Sequence, residues 1–345
     1  VKILAIESSC DETAAAVVED GHLVLAERVA SQVDIHRKYG GVVPELASRN
    51  HVVDIVPVIE ETLAEAQLDF AQLDAIAVTR GPGLVGALLV GVQVAKTLAW
   101  AHNKPLIPVN HLAGHLHAVF LHTANEPRPA GPAYPHVALA VSGGHTAIYL
   151  VPGPGRAQRL ANTRDDAAGE AFDKVSRMLG LGYPGGPTVE RMAKPGDAKA
   201  HKFTIPRFKD GGIDFSFSGL KTAVLTKIKK LDALPEGQEL ADLLASFQFS
   251  AVAQLVDRTL KAVKVAGVHD VVLAGGVAAN TCLRETLRTR LGAEGISLHV
   301  PPRRWCTDNA AMIAGAACTN ADPLKTGHDP ADRRLNAVGT WQLPQ

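Results

Sequence analysis

The chain has few cysteines, and they form no framework. Four thiols (Cys10, Cys282, Cys306 and Cys318) occur in 345 residues without a CxxC pair, the pattern of reduced, structurally ordinary cysteines in a cytosolic protein. No run of eighteen or more apolar residues occurs, which excludes a membrane-spanning helix on hydropathy alone. Net charge is also missing, with 35 Lys+Arg against 35 Asp+Glu. A chain that binds nucleic acid alone usually carries a basic excess, so any RNA contact here has to use a local patch or other subunits. No basic presequence precedes the first strand-like segment, and the expected address is the cytoplasm. What remains is a globular composition, 46% hydrophobic and 20% charged, too long for one small core.

Two segments echo one another. Residues 3–18, ILAIESSCDETAAAVV, and 137–151, VALAVSGGHTAIYLV, each read as strand, polar turn, strand, with a Thr-Ala pair opening the second strand. Small residues fill both turns (Ser8 and Ser9; Ser142, Gly143 and Gly144), where backbone N–H groups can approach an anion. Such a pair suggests a duplicated α/β domain. The proline-rich EPRPAGPAYP between them reads as a stiff connector. The expected division is a first lobe over 1–125, a connector over 126–136 and a second lobe over 137–345. Apolar spacing predicts helices at 51–67, 84–102, 165–181 and 307–317, one long or two abutting helices at 239–267, and strands at 74–83 and 296–302. Residues 268–292 read as strand, glycine turn and helix, and the polar tail after Asn320 as a surface wrap.

HLAGH sets His111 and His115 one helical turn apart, on a shared face where they can bind one metal ion or merely pack. Leu112 stands where a water-activating glutamate would follow the first histidine in an HExxH hydrolase. Asp308 reads first as a helix N-cap and otherwise as a third ligand, completing a two-His, one-carboxylate site. LAGGVAAN (273–280) places a glycine pair between strand and helix but is not GxGxxG, so a dinucleotide fold is disfavoured. Asn280 is either a cap or a ribose or base contact, and Asp173 either an exposed helix acid or a hydroxyl acceptor. Asp11 and Glu12 crowd two carboxylates into the first turn, either solvated or placed to steer a proton. Basic runs at 202–209, 221–230 and 301–305 read as solvated faces, with an RNA-docking strip as the alternative.

Taken in order, IESSCDET, YGGVVPELASRNH, RGPGLVGALLVG, HLAGHLHA, VSGGHT, DDAAGEAFDKV, YPGGP, FSFSGLKTAV, LAGGVAANTCLR and CTDNAA span nearly the whole chain. Together they closely resemble the TsaD family, which makes threonylcarbamoyladenosine in tRNA. The resemblance implies an actin-like, sugar-kinase and Hsp70-type ATPase fold with two duplicated lobes and a nucleotide cleft. It implies transfer of threonylcarbamoyl from threonylcarbamoyl-adenylate to N6 of adenine 37 in tRNAs reading ANN codons. It further implies His111, His115 and Asp308 as ligands of one iron ion, with zinc or magnesium able to substitute. Ala140, Val141, Ser142, Gly143 and Gly144 would form the first substrate loop, and Asp173, Gly186, Glu190 and Asn280 the nucleotide side. Asp11 and Glu12 are supporting catalytic candidates. The implied partners are tRNA and TsaB- and TsaE-like proteins, with heterodimer contact through first-lobe helices and no membrane. Two other readings compete: a nucleotide-binding or kinase protein of the same fold without transferase activity, and a metalloprotease, against which Leu112 speaks.

Overall fold

The computed structural model describes residues 1–205, 208, 211–319 and 334–343. The apolar runs become two mixed sheets. In the first, β1 (Lys2–Glu7) and β2 (Glu12–Glu19) form an antiparallel hairpin extended by β3 (Leu23–Ser31). On the other side β4 (Ala75–Gly81) and β5 (Leu106–Asn110) add in parallel, and β6 (His122–Thr123) edges β3. The order is β5-β4-β1-β2-β3-β6. The second sheet is built from β7 (His136–Val141), β8 (Thr146–Gly153), β9 (Arg156–Asn162), β10 (Asp270–Ala274) and β11 (Ser297–His299), in the order β11-β10-β7-β8-β9. Apart from β6 the two orders match strand for strand, which is the structural form of the sequence echo. β1, β2 and β7 are nearly continuous apolar runs because both faces of each sheet are covered.

The helices are α1 (Val33–Arg37), α2 (Pro44–Ala66), α3 (Val85–Ala101), α4 (His111–His117), α5 (Ala168–Met178), α6 (Gly185–Ala193), α7 (Ser218–Ile228), α8 (Gly237–Ala266), α9 (Thr281–Gly292) and α10 (Ala310–Ala317). α2 starts seven residues earlier than the apolar spacing predicts, because Pro44 takes the first helical turn, where a missing N–H costs nothing. The segment expected as helical over 239–267 is one helix of 30 residues, Gly237–Ala266, closed by Gly267 in the left-handed conformation.

α2 and α3 cover one face of the first sheet, where Ile55, Ile59, Leu63, Val92 and Ala95 meet Leu4, Ile6 and Val17. α5 and α8 cover one face of the second sheet, with Phe172, Leu244 and Phe247 against Val137, Leu139 and Ile148. The two inner faces are covered by exchange. α4, which follows the first sheet's β5, lays Leu112 and Leu116 on Ala138, Ala140, Tyr149 and Val272 of the second sheet. α10, which follows the second sheet's β11, buries Met312 and Ile313 against Ile3, Ala5, Ala16 and Val18 of the first. Residues 334–343 also return, with Leu335 in the first core and the Val338 N–H donating to Arg80 O at 2.9 Å. The stretch 137–345, expected as the second lobe, therefore includes a helix and a strap that pack on the first.

α4 and α10 touch where they cross. A Cβ on Gly114 would lie 2.8 Å from Ile313 Cδ1, and one on Gly315 2.4 Å from His117 Cδ2. One glycine in each helix thus lets the two backbones close together. The candidate site stands at this crossing.

Candidate functional site

Asn110 ends β5 and caps α4. Its Oδ1 accepts from Leu112 N–H at 2.9 Å, and its Nδ2 donates to Trp341 O at 3.0 Å. A seven-residue helix follows, with Leu112 and Leu116 on the second sheet and both imidazoles on another face. His111 is 5% exposed and His115 1%. The third partner arrives from the start of α10. Asp308 was expected to cap that helix by default. The structure gives the task to Asn309, whose Oδ1 accepts from Met312 N–H at 2.8 Å. The Asp308 carboxylate is thereby left to face the histidines. Its Oδ1 lies 3.2 Å from His115 Nε2 and 3.4 Å from His111 Nε2. One ligand atom from each of the three falls within 4.8 Å of the others. Two imidazole nitrogens and one carboxylate oxygen about one point, with room for further ligands, suit a divalent first-row metal ion.

Glu7, at the end of β1, is a residue the sequence reading missed. It is fully buried, and its Oε2 lies 3.1 Å from His111 Nδ1. Burial works against charge on all three of these groups, and their mutual attraction overrides it. Asp308 and Glu7 hold the His111 proton well above the usual imidazole range. His111 in turn holds Glu7 below, and His111 and His115 hold Asp308 well below, the usual carboxylate range. His145, on the turn after β7, is also drawn in. Burial, then the charges of His111 and His115, lower it to about 4. The second lobe's substrate-loop candidate therefore faces the histidine pair.

That loop is the turn between β7 and β8. Ala140 and Val141 are buried at the strand end, Ser142 is half-buried, and Gly143 and Gly144 are exposed, with no atom near the place a Cβ would take. Its backbone rests on two neighbours. Gly169 N–H donates to Ser142 O at 3.2 Å. Gly275, at φ +91°, comes so close that a Cβ there would lie 2.4 Å from Val141 O. The glycine turn after β10 is thus a close-approach joint against the loop.

Around the loop the remaining candidates form a chain of contacts. Tyr183 Oη donates to Asp11 Oδ2 at 3.5 Å. Asp173 Oδ1 accepts from Gly185 N–H at 2.7 Å, so it orients the YPGGP turn that carries Gly186 and is no solvated helix acid. Burial raises its pKa, against the pull of the Gly185 and Gly186 amides. Glu190 accepts from Thr281 N–H at 2.8 Å. Asn280 caps α9 through Leu283 N–H at 2.9 Å and donates to Gln248 Oε1 at 2.9 Å. Asp11 is buried rather than solvated. Glu12 accepts from Ser31 Oγ at 2.7 Å, and burial, then Asp11 and Asp308, raise its pKa to about 9.

The basic runs are partly committed inside the protein. Lys221 pairs with Asp166 at 2.7 Å, and Arg304 pairs with Glu126. Residues 206, 207, 209 and 210 of the first run, and 320–333 of the polar tail, lie outside the described residues. No helix among the described residues is long and apolar enough to cross a membrane.

Comparison with known proteins adds to this geometry. Residues 23–315 match the family model "TsaD: tRNA N6-adenosine threonylcarbamoyltransferase". A relative from Anaeromyxobacter sp. (strain Fw109-5) bearing that enzyme name is 54% identical over 344 residues, 99% of this chain and 100% of its own. Another from Symbiobacterium thermophilum, of the same name, is 58% identical over 315 residues, 91% of this chain and 90% of its own. Among solved structures, full-length HypF superposes with a TM-score of 0.60 at 15% identity, over 92% of this chain and 46% of that one. Component A of the Acidaminococcus fermentans (R)-2-hydroxyglutaryl-CoA dehydratase does so with a TM-score of 0.53 at 16% identity, over 92% and 96%. At such low identity these two speak for the fold alone, the two-lobed actin-like ATPase architecture. By its family model and its near-full-length relatives, the chain belongs to the TsaD family of tRNA N6-adenosine threonylcarbamoyltransferases.

Proposed function

We propose that this chain transfers the threonylcarbamoyl group of threonylcarbamoyl-adenylate to N6 of adenine 37 in tRNAs that read ANN codons. The observation that carries the reading is the meeting of His111, His115 and Asp308 at the crossing of α4 and α10, beside the β7–β8 loop. The donor is an activated mixed anhydride, so no nucleophilic side chain is required. The adenine amine attacks the carbamoyl carbon, the bond to the phosphate oxygen breaks, AMP leaves, and the amine gives up a proton. Ala140 to Gly144 hold the AMP portion against exposed backbone, and Asp173, Gly186, Glu190 and Asn280 wall its nucleotide side. Their contribution is orientation of the leaving group. His111, His115 and Asp308 would hold an iron ion, or zinc or magnesium in its place, and such an ion would supply Lewis-acid polarisation of the carbamoyl carbonyl.

Asp11 and Glu12 divide the proton work. Glu12 keeps its proton at neutral pH and serves as a donor or spacer. Asp11, which accepts from Tyr183 Oη, would take the amine proton. Glu7 does not open a protease route, because it lies on the Nδ1 side of His111, behind the ring. The α2 and α3 surfaces carry exposed Val52, Val53, Val56, Val85 and Leu89, an apolar patch suited to heterodimer contact with a TsaB-like protein. A TsaE-like protein completes the set, in the cytoplasm where the tRNA is.

The test is mass spectrometry of nucleosides from tRNA incubated with the protein, TsaB- and TsaE-like partners, ATP and threonylcarbamoyl-adenylate as the donor. Threonylcarbamoyladenosine is expected with the wild type and not with His111→Ala or His115→Ala, both of which keep nucleotide binding. Unmodified adenosine with the complete wild-type mixture overturns the transferase reading. Full activity in both variants overturns the metal site.

A further inference from the structure

A buried carboxylate in an apolar strand needs a reason, and Glu7 has none in the fold itself. In the first hairpin Glu7 pairs with Ala14; in the second, the residue paired with the corresponding Ala147 is Ala140. The duplicated strand is therefore built equally well with a methyl group at this place. Glu7 is instead saturated by specific partners. Its Oε1 accepts from Ser9 N–H at 2.5 Å, and its Oε2 accepts from Thr79 Oγ at 2.5 Å and lies 3.1 Å from His111 Nδ1. Ser9 Oγ lies 3.2 Å from the same nitrogen. Among the described residues His115 has no such counterpart, and its Nδ1 is buried without a partner.

We infer that Glu7 is the positioning residue of the metal site, fixing the tautomer and ring plane of His111 so that its Nε2 lone pair faces Asp308. This rests on the reading that His111, His115 and Asp308 bind a metal ion. A carboxylate only accepts, so the proton of a neutral His111 ring has to sit on Nδ1, where Glu7 receives it. Thr79 and the Ser9 amide keep the carboxylate from turning away. Outer carboxylates of this kind raise ligand basicity, and their loss typically costs 10–100-fold in metal affinity.

Glu7→Gln has the shape to expose the role. Its amide oxygen has to face Ser9 N–H, which turns its NH2 group toward Thr79 and His111. The imidazole then accepts at Nδ1, and its proton moves to Nε2, into the position a metal would take. Zinc affinity is measured by chelator competition on the wild type and on Glu7→Gln, with thermal unfolding and AMP binding as fold controls. The expected result is zinc binding about 10–100-fold weaker in the variant, with AMP binding unchanged. Because the variant can fail to fold, nitrogen-15 NMR of the zinc-loaded wild type gives an independent answer. It should show His111 bound to zinc through Nε2, with a retained Nδ1 proton. Ligation through Nδ1, or unchanged zinc affinity in folded Glu7→Gln, overturns the role of Glu7 alone. A wild type that binds no zinc removes the metal site and this inference with it.

Discussion

Replacing Glu12 by glutamine should flatten the pH dependence of stability. In the folded protein, burial and the Asp11 and Asp308 carboxylates raise the Glu12 pKa from an ordinary value near 4.5 to about 9. The unfolded chain loses that proton near 4.5, while the folded chain keeps it until about 9. A raised folded pKa therefore means stability that is whole below about 4.5 and is lost as pH rises toward 9. With one proton held, the slope inside this window is at most about 1.4 kcal/mol per pH unit. Glutamine keeps the shape and the contact to Ser31 but does not titrate. Urea unfolding at pH 5, 6, 7 and 8 should show the wild type losing stability relative to the variant at each step. Curves that stay parallel across those four points refute the protonated Glu12, and with it the assignment of amine-proton acceptance to Asp11.

Further predictions test the frame of the site. Gly275→Ala puts a Cβ at φ +91° and 2.4 Å from a carbonyl oxygen. It should cost about 2–5 kcal/mol from the backbone conformation and the clash together, read as a lowered unfolding midpoint. Asn110→Ala removes the α4 cap and the contact to Trp341. A loss of about 1–2 kcal/mol in urea unfolding is expected, with zinc affinity weakened as the helix frays. Zinc uptake at neutral pH should release a proton, because His111 is held charged between Asp308 and Glu7 without the metal. Calorimetry in two buffers of different ionisation enthalpy reads it, and affinity should rise with pH.

What could be read from the residues was whatever depends on local pattern. The repeated strand-turn-strand needs only alternation and small turn residues, and it appears as two sheets of matching strand order. The i, i+4 histidines needed only helical spacing, and α4 supplies it. Contacts set by tertiary exchange left no such trace. α4 and α10 are short, seven and eight residues, so nothing in them says that each covers the other lobe's sheet. Asp308 and Asn309 are both good caps, and only the approach of α10 to α4 decides that Asn309 caps while Asp308 faces the histidines.

Glu7 was illegible for a related reason. At the end of an apolar strand, a glutamate reads as the first residue of a polar turn. Only the return of the chain through β4, beside β1, and β5 into α4 brings His111 to the end of β1 and converts Glu7 into its buried acceptor. The same crossing explains why the site needs both lobes. Its histidines come from a helix resting on the second sheet, its aspartate from one resting on the first, and its outer carboxylate from the first sheet itself. Sliding α4 along α10 would move Asp308 relative to both histidines at once, while one turn of α4 keeps the His111–His115 spacing fixed.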